Sequence, residues 1–214
     1  WDRESPFVNP MCGSGTLAIE AALAALGRPP GQTRKNFGFM HVPGFPKGSW
    51  EKILEEAEKE ERASLPFRII ATDWDPEALS AAEQNARTAG VEKHISFSLG
   101  PFEETEIPEG KGVIFMNPEY GERMGDTARL KDVYRRIGDF MKEKGRGYRG
   151  FIFTGNPELA KAVGLRARRR IPFFNGPIAC RLLEYELYEG SRKGSFIRGN
   201  GSGDDPRKER SRTP

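Results

Sequence analysis

Between residues 67 and 164, short apolar segments alternate with longer amphipathic segments. The apolar segments are FRIIATD, HISFSL, GVIFMN and YRGFIFTG, and the amphipathic segments are DPEALSAAEQNARTAG, LKDVYRRIGDFMKEKG and NPELAKAVG. Short apolar runs bounded by turn residues favour buried strands, whereas apolar residues that recur about every 3.6 residues favour helices. Their succession predicts an α/β fold with a mostly parallel, doubly wound sheet and helices on both faces.

The N-terminal part begins this pattern and then interrupts it. The segment PFVNP (6–10) predicts a first strand, and GTLAIEAALAALG (15–27) predicts a helix that closes on Gly27. Residues 28–50 are rich in Pro, Gly and aromatic residues, which indicates an ordered excursion packed by its Phe and Trp side chains. The charged segment WEKILEEAEKEERA that follows predicts a surface helix.

The C-terminal part predicts an antiparallel hairpin and then a tail. LRARRRIPFF and IACRLLEYEL bracket Asn-Gly-Pro at 175–177, a turn signal between two strands. The last two dozen residues contain few apolar residues, so we expect a disordered basic tail over 191–214. One domain over residues 1–190 is therefore expected, and the start at Trp1 suggests a fragment without its upstream region.

Composition narrows the classes of function. The 214 residues are 36% hydrophobic and 30% charged, and the net charge is only +3, so attraction to a polyanion has to come from local clusters. The two cysteines, Cys12 and Cys180, show no metal-ligand spacing, which argues against a zinc site and a disulfide scaffold. No apolar run approaches the roughly twenty residues of a membrane span. A cytoplasmic protein without membrane or metal is expected.

A glycine turn and a downstream acid predict an adenosyl-binding site. Gly13, Ser14 and Gly15 lie between the first strand and the first helix, at the crevice where open α/β sheets bind ligands. Asp73 ends the second strand, where a carboxylate can accept both ribose hydroxyls, and the ring of Trp74 could lie against an adenine. The alternative for the nearby Asp75 is a helix N-cap.

The same turn also satisfies the dinucleotide string GxGxxG/A, through Gly13, Gly15 and Ala18. A nicotinamide site would place its ribose acid about twenty residues further on, but here the 28–63 excursion intervenes. A dehydrogenase is therefore a distant alternative.

The stretch VIFMNPEYGER ends an apolar strand in a polar cluster suited to a poorly nucleophilic amine. The side-chain oxygen of Asn117 and the carbonyl of Pro118 are two acceptors for the hydrogens of an exocyclic base amine, whose lone pair they would free for attack on a methylsulfonium. Tyr120 would stack on the extruded base. This chemistry needs no histidine, and His41 and His94 are interpreted as surface or packing residues.

At this point the chain resembles the class I methyltransferases that modify exocyclic amines, whose motif is Asn-Pro-Pro-Tyr or a close variant. The stretches NPMCGSGTLAIEAA, FGFMHVPGF, NPEYGER, TGNPELAKAVGLRARRR and NGPIACRLLEYEL are similar to the catalytic domain of bacterial large-subunit ribosomal RNA guanine-N2 methyltransferases and their THUMP-containing relatives. The resemblance covers roughly residues 5–188. It implies a seven-stranded Rossmann-like sheet, S-adenosylmethionine as methyl donor and ribosomal RNA as substrate. The resemblance also implies that Asn9, Met11, Thr16, Phe102 and Asn117 contact the cofactor.

Three residues depart from the family pattern inside the site. Asn9 stands where the family usually has Asp, and Gly100-Pro101 stands where the family has Gly-Asp, whose carboxylate takes the adenine amine. Phe102 could still offer its backbone amide there. Glu119 replaces the second Pro of the motif and adds a carboxylate beside the base.

Basic residues near the end of the domain are candidates for RNA contact. Arg166, Arg168, Arg169 and Arg170 fall within a predicted strand, and Arg123 follows Tyr120 by three residues. Cationic side chains position nucleic acid through its phosphates, although the same arginines could be solvated edge charges.

The function expected from these features is methyl transfer to an exocyclic base amine, with guanine N2 of ribosomal RNA as the first choice. Adenine N6 in DNA or RNA is the alternative within enzymes, because the same acceptors serve either amine. Outside enzymes, the alternative is an inactive RNA-binding domain that retains the fold.

Overall fold

The computed structural model describes residues 1–29, 31, 34–46, 48–121 and 126–188. The strands are β1 (Phe7–Pro10), β2 (Ile69–Asp73), β3 (Ile95–Leu99), β4 (Val113–Met116), β5 (Arg149–Thr154), β6 (Arg169–Asn175) and β7 (Ile178–Glu186). The α-helices are α1 (Thr16–Leu26), α2 (Ser49–Lys59), α3 (Pro76–Thr88), α4 (Asp126–Lys144) and α5 (Pro157–Ala162). Short 3₁₀ helices occupy Gly38–His41, Glu92–His94 and Phe102–Glu104.

All seven strands form one sheet in the order β3-β2-β1-β4-β5-β7-β6. The first five strands along the chain pair in parallel, and β7 runs antiparallel to both β5 and β6. This confirms the predicted mostly parallel sheet with a C-terminal antiparallel hairpin. The strand order reverses between β1 and β4, and the crevice outside the carboxyl ends at such a point is where open α/β sheets bind ligands.

Two apolar layers cover opposite faces of the sheet. Val8, Ile70 and Ile114 pack in a cluster with α4 and α5. Their chain neighbours Phe7 and Ile69 pack instead with α1 and α3. Because successive strand residues point to opposite faces, helices lie on both sides of the sheet, as predicted.

The aromatic excursion is packed by its own rings. The ring centroid of Trp50 lies 4.9 Å from that of Phe37 and 5.4 Å from that of Phe39. This confirms the prediction for the described part of residues 28–50. Helix α2 ends at Lys59, earlier than its charge pattern suggested, and the Arg62 amide beyond it donates to the carbonyl of Leu26.

The C-terminal hairpin is shorter than predicted. Leu165 to Arg168 were expected in the strand, but β6 begins at Arg169. Gly164 has a positive φ of 65° and Ala167 is buried against the α4–α5 layer, so the chain turns here before it enters the sheet. The predicted tail over 191–214 lies outside the described residues, as does Arg123.

None of the helices in the described ranges combines the length and the apolar character needed to cross a membrane.

Candidate functional site

Loops that bear the predicted residues meet at one edge of the sheet. The carboxyl ends of β1, β2, β3, β4 and β5 share this edge because these strands are parallel. The turn between β6 and β7 also lies there, since β7 is antiparallel to β5 and Arg181 pairs with Thr154 near the start of β7. The topology thus brings together the glycine turn, Asp73, the Asn117–Tyr120 segment and the hairpin tip.

The loop after β1 is tightly turned. Gly13 and Gly15 have positive φ angles of 55° and 84°, and Met11 has a φ of 62°, which is uncommon for a residue with a side chain. A Cβ on Gly13 would meet no atom of the described residues within 4 Å, so this glycine leaves space for a ligand beside it. A Cβ on Gly15 would lie 2.9 Å from that of Ala82, and Gly15 therefore permits α1 to pack closely against α3.

Asp73 joins the loops after β1 and β2. Its Oδ2 accepts from the Gly13 amide at 2.8 Å and its Oδ1 accepts from the Asp75 amide at 3.0 Å. A carboxylate offers about four acceptor positions, so two remain for the hydroxyls of a ligand. Burial, followed by the charge of Asp73, raises the pKa of the Cys12 thiol to about 12. The Asp75 side chain accepts from the Glu77 amide and caps α3, as its alternative interpretation held.

The N-terminus of α1 points its first amides at the same crevice. The N-cap residue is Gly15, which has no side chain to cap the helix, and the amides of the first turn have no partner within the helix. Ser14 and Thr16 are exposed here, and the carbonyl of Ser14 accepts from the Asn85 side chain at 3.0 Å. Such a helix start favours a negatively charged group.

An exposed apolar surface lies next to Asp73. The side chain of Trp74 is 72% exposed, and Leu99, the strand partner of Asp73, is 59% exposed. The Gly100 amide donates to the carbonyl of Asp73 at 2.9 Å and fixes the loop after β3. The ring of Phe102 is buried edge-on against Phe140, so only its backbone can serve a ligand.

Asn9 carries a buried acceptor without a partner. The residue is 1% exposed, and its Nδ2 donates to the carbonyl of Phe115 at 2.8 Å. Among the described residues nothing donates to its Oδ1. An unsatisfied buried acceptor costs about 1–3 kcal/mol, so a ligand ammonium that reached this oxygen would remove a penalty.

The Asn117–Tyr120 segment is organised differently from the sequence prediction in one respect. The Tyr120 hydroxyl donates to the Oδ1 of Asn117 at 2.6 Å, so the two groups bind each other. The Tyr120 ring packs edge-on against Phe153, with the ring centroids 6.1 Å apart. Burial raises the pKa of Tyr120 to about 12, with a further increase from Cys180 and an opposing effect of the Asn175 side chain. The hydroxyl therefore remains a donor at neutral pH.

Two residues that sequence reasoning missed hold this segment. The hydroxyl of buried Tyr134 donates to the carbonyl of Glu119 at 3.1 Å and lies 2.8 Å from the hydroxyl of Thr154. The Asn156 side chain caps α5 and donates to the carbonyl of Tyr120 at 3.0 Å. Asparagine at the end of a strand, directly before a Pro-initiated helix, was the available signal for Asn156.

The Glu119 carboxylate is paired with a residue of α4. It binds Arg129 at 2.8 Å, and both side chains are more than half exposed. An exposed pair of this kind contributes about 0–1 kcal/mol, so it orients Glu119 without fixing it.

The predicted basic cluster divides into paired and unpaired arginines. Arg168 pairs with Glu186, and Arg169 lies 3.6 Å from the buried carboxylate of Glu184. Within the described ranges, no carboxylate lies at ion-pair distance from Arg166 or Arg170.

Comparison with known proteins agrees with this geometry. The family model of the RMKL-like methyltransferase domain (UPF0020) matches residues 1–184. The chain is 39% identical to slr0064 of Synechocystis, named as a candidate RNA methyltransferase, over 88% of this chain and 49% of that protein. It is also 39% identical to the ribosomal RNA large subunit methyltransferase K/L of Syntrophotalea carbinolica, over 87% of this chain and 27% of that protein. The chain thus spans from about a quarter to half of these relatives.

Solved structures share the fold. The crystal structure of SMU.472 complexed with SAH superposes with a TM-score of 0.80 at 26% identity, over 89% of this chain and 50% of that one. A structure from Listeria monocytogenes, described as a predicted N6-adenine-specific DNA methylase, superposes with a TM-score of 0.75 at 29% identity. The match covers 87% of this chain and 48% of that chain. The sheet order, the glycine turn, the acid after β2 and the Asn-Pro-Glu-Tyr segment agree with the family match, and this chain therefore belongs to the RMKL-like methyltransferase domain family.

Proposed function

We propose that this domain transfers a methyl group from S-adenosylmethionine to an exocyclic base amine, guanine N2 of large-subunit ribosomal RNA. One observation carries the proposal above all: the Asn117–Tyr120 segment lies at the carboxyl end of β4, beside the β1 loop that Asp73 anchors. The position suits a reaction between a cofactor held over β1 and β2 and a base held over β4. The Syntrophotalea relative, named for methylation of large-subunit ribosomal RNA, supports this substrate.

The residues at the crevice fit the parts of the cofactor. The free acceptor positions of Asp73 suit ribose hydroxyls, and the exposed faces of Trp74 and Leu99 suit the adenine. The uncapped start of α1 suits a carboxylate, and the unpartnered Oδ1 of Asn9 suits the ammonium. The neutral Asn9 thus offers an acceptor where the family has a charged one. When bound, the cofactor supplies an electrophilic methyl group on a sulfonium.

Asn117 and Pro118 act on the base. The Asn117 side-chain oxygen and the Pro118 carbonyl accept the two amine hydrogens, which favours a pyramidal nitrogen with a free lone pair. The Tyr120 hydroxyl now binds Asn117, so base entry either displaces that hydroxyl or uses the second lone pair of the amide oxygen. The ring of Tyr120 stacks on the base once it is extruded.

Arginines near the hairpin contact the RNA backbone in this proposal. Arg166 and Arg170 have no carboxylate partner in the described part of the chain, which leaves their charge for phosphates. Arg168 and Arg169 are bound to Glu186 and Glu184, so a phosphate would have to compete with those carboxylates. Arg123 remains a proposed contact from the sequence alone.

Adenine N6 is the second candidate acceptor. The Listeria structure described as a predicted N6-adenine-specific DNA methylase favours it, because its fold matches this chain closely. Guanine is preferred because the sequence motifs resemble those of guanine-N2 methyltransferases, and the relative from Syntrophotalea, which is named for ribosomal RNA, favours RNA over DNA as the substrate.

The test is transfer of a labelled methyl group to ribosomal RNA, followed by mass spectrometry of the nucleosides. We expect 2-methylguanosine from the wild-type chain and a loss of transfer of about 100-fold or more in Asn117→Ala, since one preorganised acceptor is worth about 10²–10³ in rate. Asn36→Ala, an exposed asparagine in the aromatic excursion, is the control. Formation of 6-methyladenosine would favour the second candidate. Unchanged transfer in Asn117→Ala would refute the mechanism.

A further inference from the structure

A cleft lies between α5 and the β6–β7 hairpin, next to the segment that holds the base. Its volume is about 760 Å³, within the range of about 300–1,000 Å³ typical of small-ligand sites. One wall is formed by α5, through Pro157, Ala160 and Lys161. The hairpin forms the other wall, with Arg170 and Arg181 among its residues.

The cleft is separated from the catalytic segment by little more than a backbone. Gly155 and Cys180 line the cleft. A Cβ on Gly155 would lie 3.2 Å from the Tyr120 ring and 3.4 Å from the Cys180 sulfur. A ligand in the cleft and a base on Tyr120 would therefore be close neighbours.

The charge of the cleft suits an anion. Arg170 and Arg181 have no ion-pair partner within the described residues, and both are exposed. Among the carboxylates of the described residues, Lys161 pairs only with Glu158, one turn away on α5, and both of these side chains are largely exposed. Pairs of this type are weak enough for a phosphate to displace.

An exposed aromatic ring lies at the mouth of the cleft, and no other ring of the described residues stacks on it. Phe174 lines the cleft and is 77% exposed, although Phe rings are usually buried. It lies on the same side of the hairpin as Arg170, four residues earlier in β6, because side chains at even spacing in a strand share a face. Arg181 of β7 shares this face, because it is the strand partner of Pro172. An aromatic ring and two cations on one face of the hairpin are the groups that bind a base and its phosphate in single-stranded nucleic acid.

We propose that this cleft binds the nucleotide next to the target base, with Phe174 stacked on the base and Arg170 and Arg181 on the phosphate. The inference deepens the proposed function and rests on it for the identity of the strand. It assigns the recognition of single-stranded RNA context to the hairpin, and it adds Phe174, Arg181 and Lys161 to the expected RNA contacts.

The test measures binding of a fluorescently labelled single-stranded RNA oligomer that contains one guanine, by anisotropy, at several salt concentrations. Phe174→Ala should weaken binding about 5- to 150-fold, because stacking of one base is worth about 1–3 kcal/mol. Arg170→Ala and Arg181→Ala should each lower the slope of log affinity against log salt by about 0.7. Arg87→Ala is the control, since Arg87 is an exposed arginine at the far end of α3 that pairs with Glu92.

An oligomer with an abasic position beside the guanine separates stacking from charge. Its affinity should be insensitive to Phe174→Ala and still sensitive to Arg170→Ala. Equal loss for both oligomers in Phe174→Ala would overturn the stacking assignment. An acidic peptide that competes as well as the oligomer would overturn the nucleotide assignment, and so would absence of RNA binding by the folded wild-type chain.

Binding also separates this inference from the proposed function. Phe174→Ala should bind S-adenosylhomocysteine as tightly as wild type, because the cleft lies beyond β5 and the crevice lies over β1 and β2. If the chain bound RNA in a way that depends on Phe174 but transferred no methyl group, the RNA-binding role of the cleft would be supported and the proposed methyltransferase activity would be refuted.

Discussion

Tyr134→Phe removes one hydroxyl that links the core to the catalytic segment. Tyr134 is fully buried in α4, and its hydroxyl binds both the Glu119 carbonyl and the Thr154 hydroxyl. Thr154 keeps a second partner, the Asn156 amide at 3.1 Å, so the Glu119 carbonyl is the group left without this bond. Because Glu119 is exposed, its carbonyl loses an ordinary hydrogen bond, which is worth about 0.5–1.5 kcal/mol, or a decrease in Tm of about 1–6 °C for a domain of this size.

Tyr134→Phe should also slow methyl transfer under conditions where the variant remains fully folded. Glu119 lies between Pro118 and Tyr120, so loss of its tether lets both neighbours move. A displacement of about 1 Å of positioning groups costs about 100-fold in rate, and we expect a 10- to 100-fold lower rate of methyl transfer with unchanged cofactor affinity.

Tyr148→Phe is the matched control. Tyr148 is also buried, and its hydroxyl donates to the Pro108 carbonyl at 2.6 Å, just before β5 and away from the carboxyl edge. Denaturant unfolding and single-turnover transfer of a labelled methyl group would be measured on both variants. The reasoning predicts a similar loss of stability in both and a loss of rate only in Tyr134→Phe. Equal rates in the two variants, at temperatures where both are folded, would refute it.

Three further outcomes follow from the structure. Trp74→Ala should weaken S-adenosylhomocysteine binding about 5- to 150-fold in calorimetry without lowering Tm, whereas Ile53→Ala, another exposed apolar residue, should change neither. Gly138→Ala should lower the free energy of unfolding by about 3 kcal/mol in denaturant unfolding, because its Cβ would lie 1.8 Å from the Val163 carbonyl oxygen. An unchanged free energy of unfolding would show that α4 and α5 can separate. Burial raises the pKa of Tyr120 to about 12, so ionisation of Tyr120 should add no inflection to the single-turnover rate near pH 10, the ordinary tyrosine value. An inflection near pH 10 that is present in the wild-type chain and absent in Tyr120→Phe would contradict the raised pKa.

The fold was predictable because its signals are local. Strand-like runs that end in Asp73 and Asn117, and a first run that leads into the turn at Gly13, place those residues at one edge, since parallel strands share their carboxyl edge. The helix cap at Asp75 was also foreseen as an alternative, because a cap needs only the residues that follow it.

Contacts between distant residues were not predictable in the same way. The link from Tyr134 to Glu119 joins α4 to a loop, and the tyrosine alone gives no sign of it. The pairing of Arg168 and Arg169 with glutamates of β7 depends on the register of the hairpin. The sequence alone therefore did not show which arginines of the run are already paired and which are free to contact RNA. The bond between Tyr120 and Asn117 is local, but it depends on a loop conformation that residue types do not specify.

Calorimetric titration with S-adenosylhomocysteine tests the central claim, a cofactor site at the carboxyl edge that Asp73 completes. The account predicts one-to-one binding by the wild-type chain and about 10- to 150-fold weaker binding by Asp73→Asn, because a hydrogen bond to a charged group is worth about 1.5–3 kcal/mol. Asn fits the same space, and circular dichroism would verify that the variant is folded. Absence of binding by the folded wild-type chain, or equal affinity in Asp73→Asn, would contradict the account.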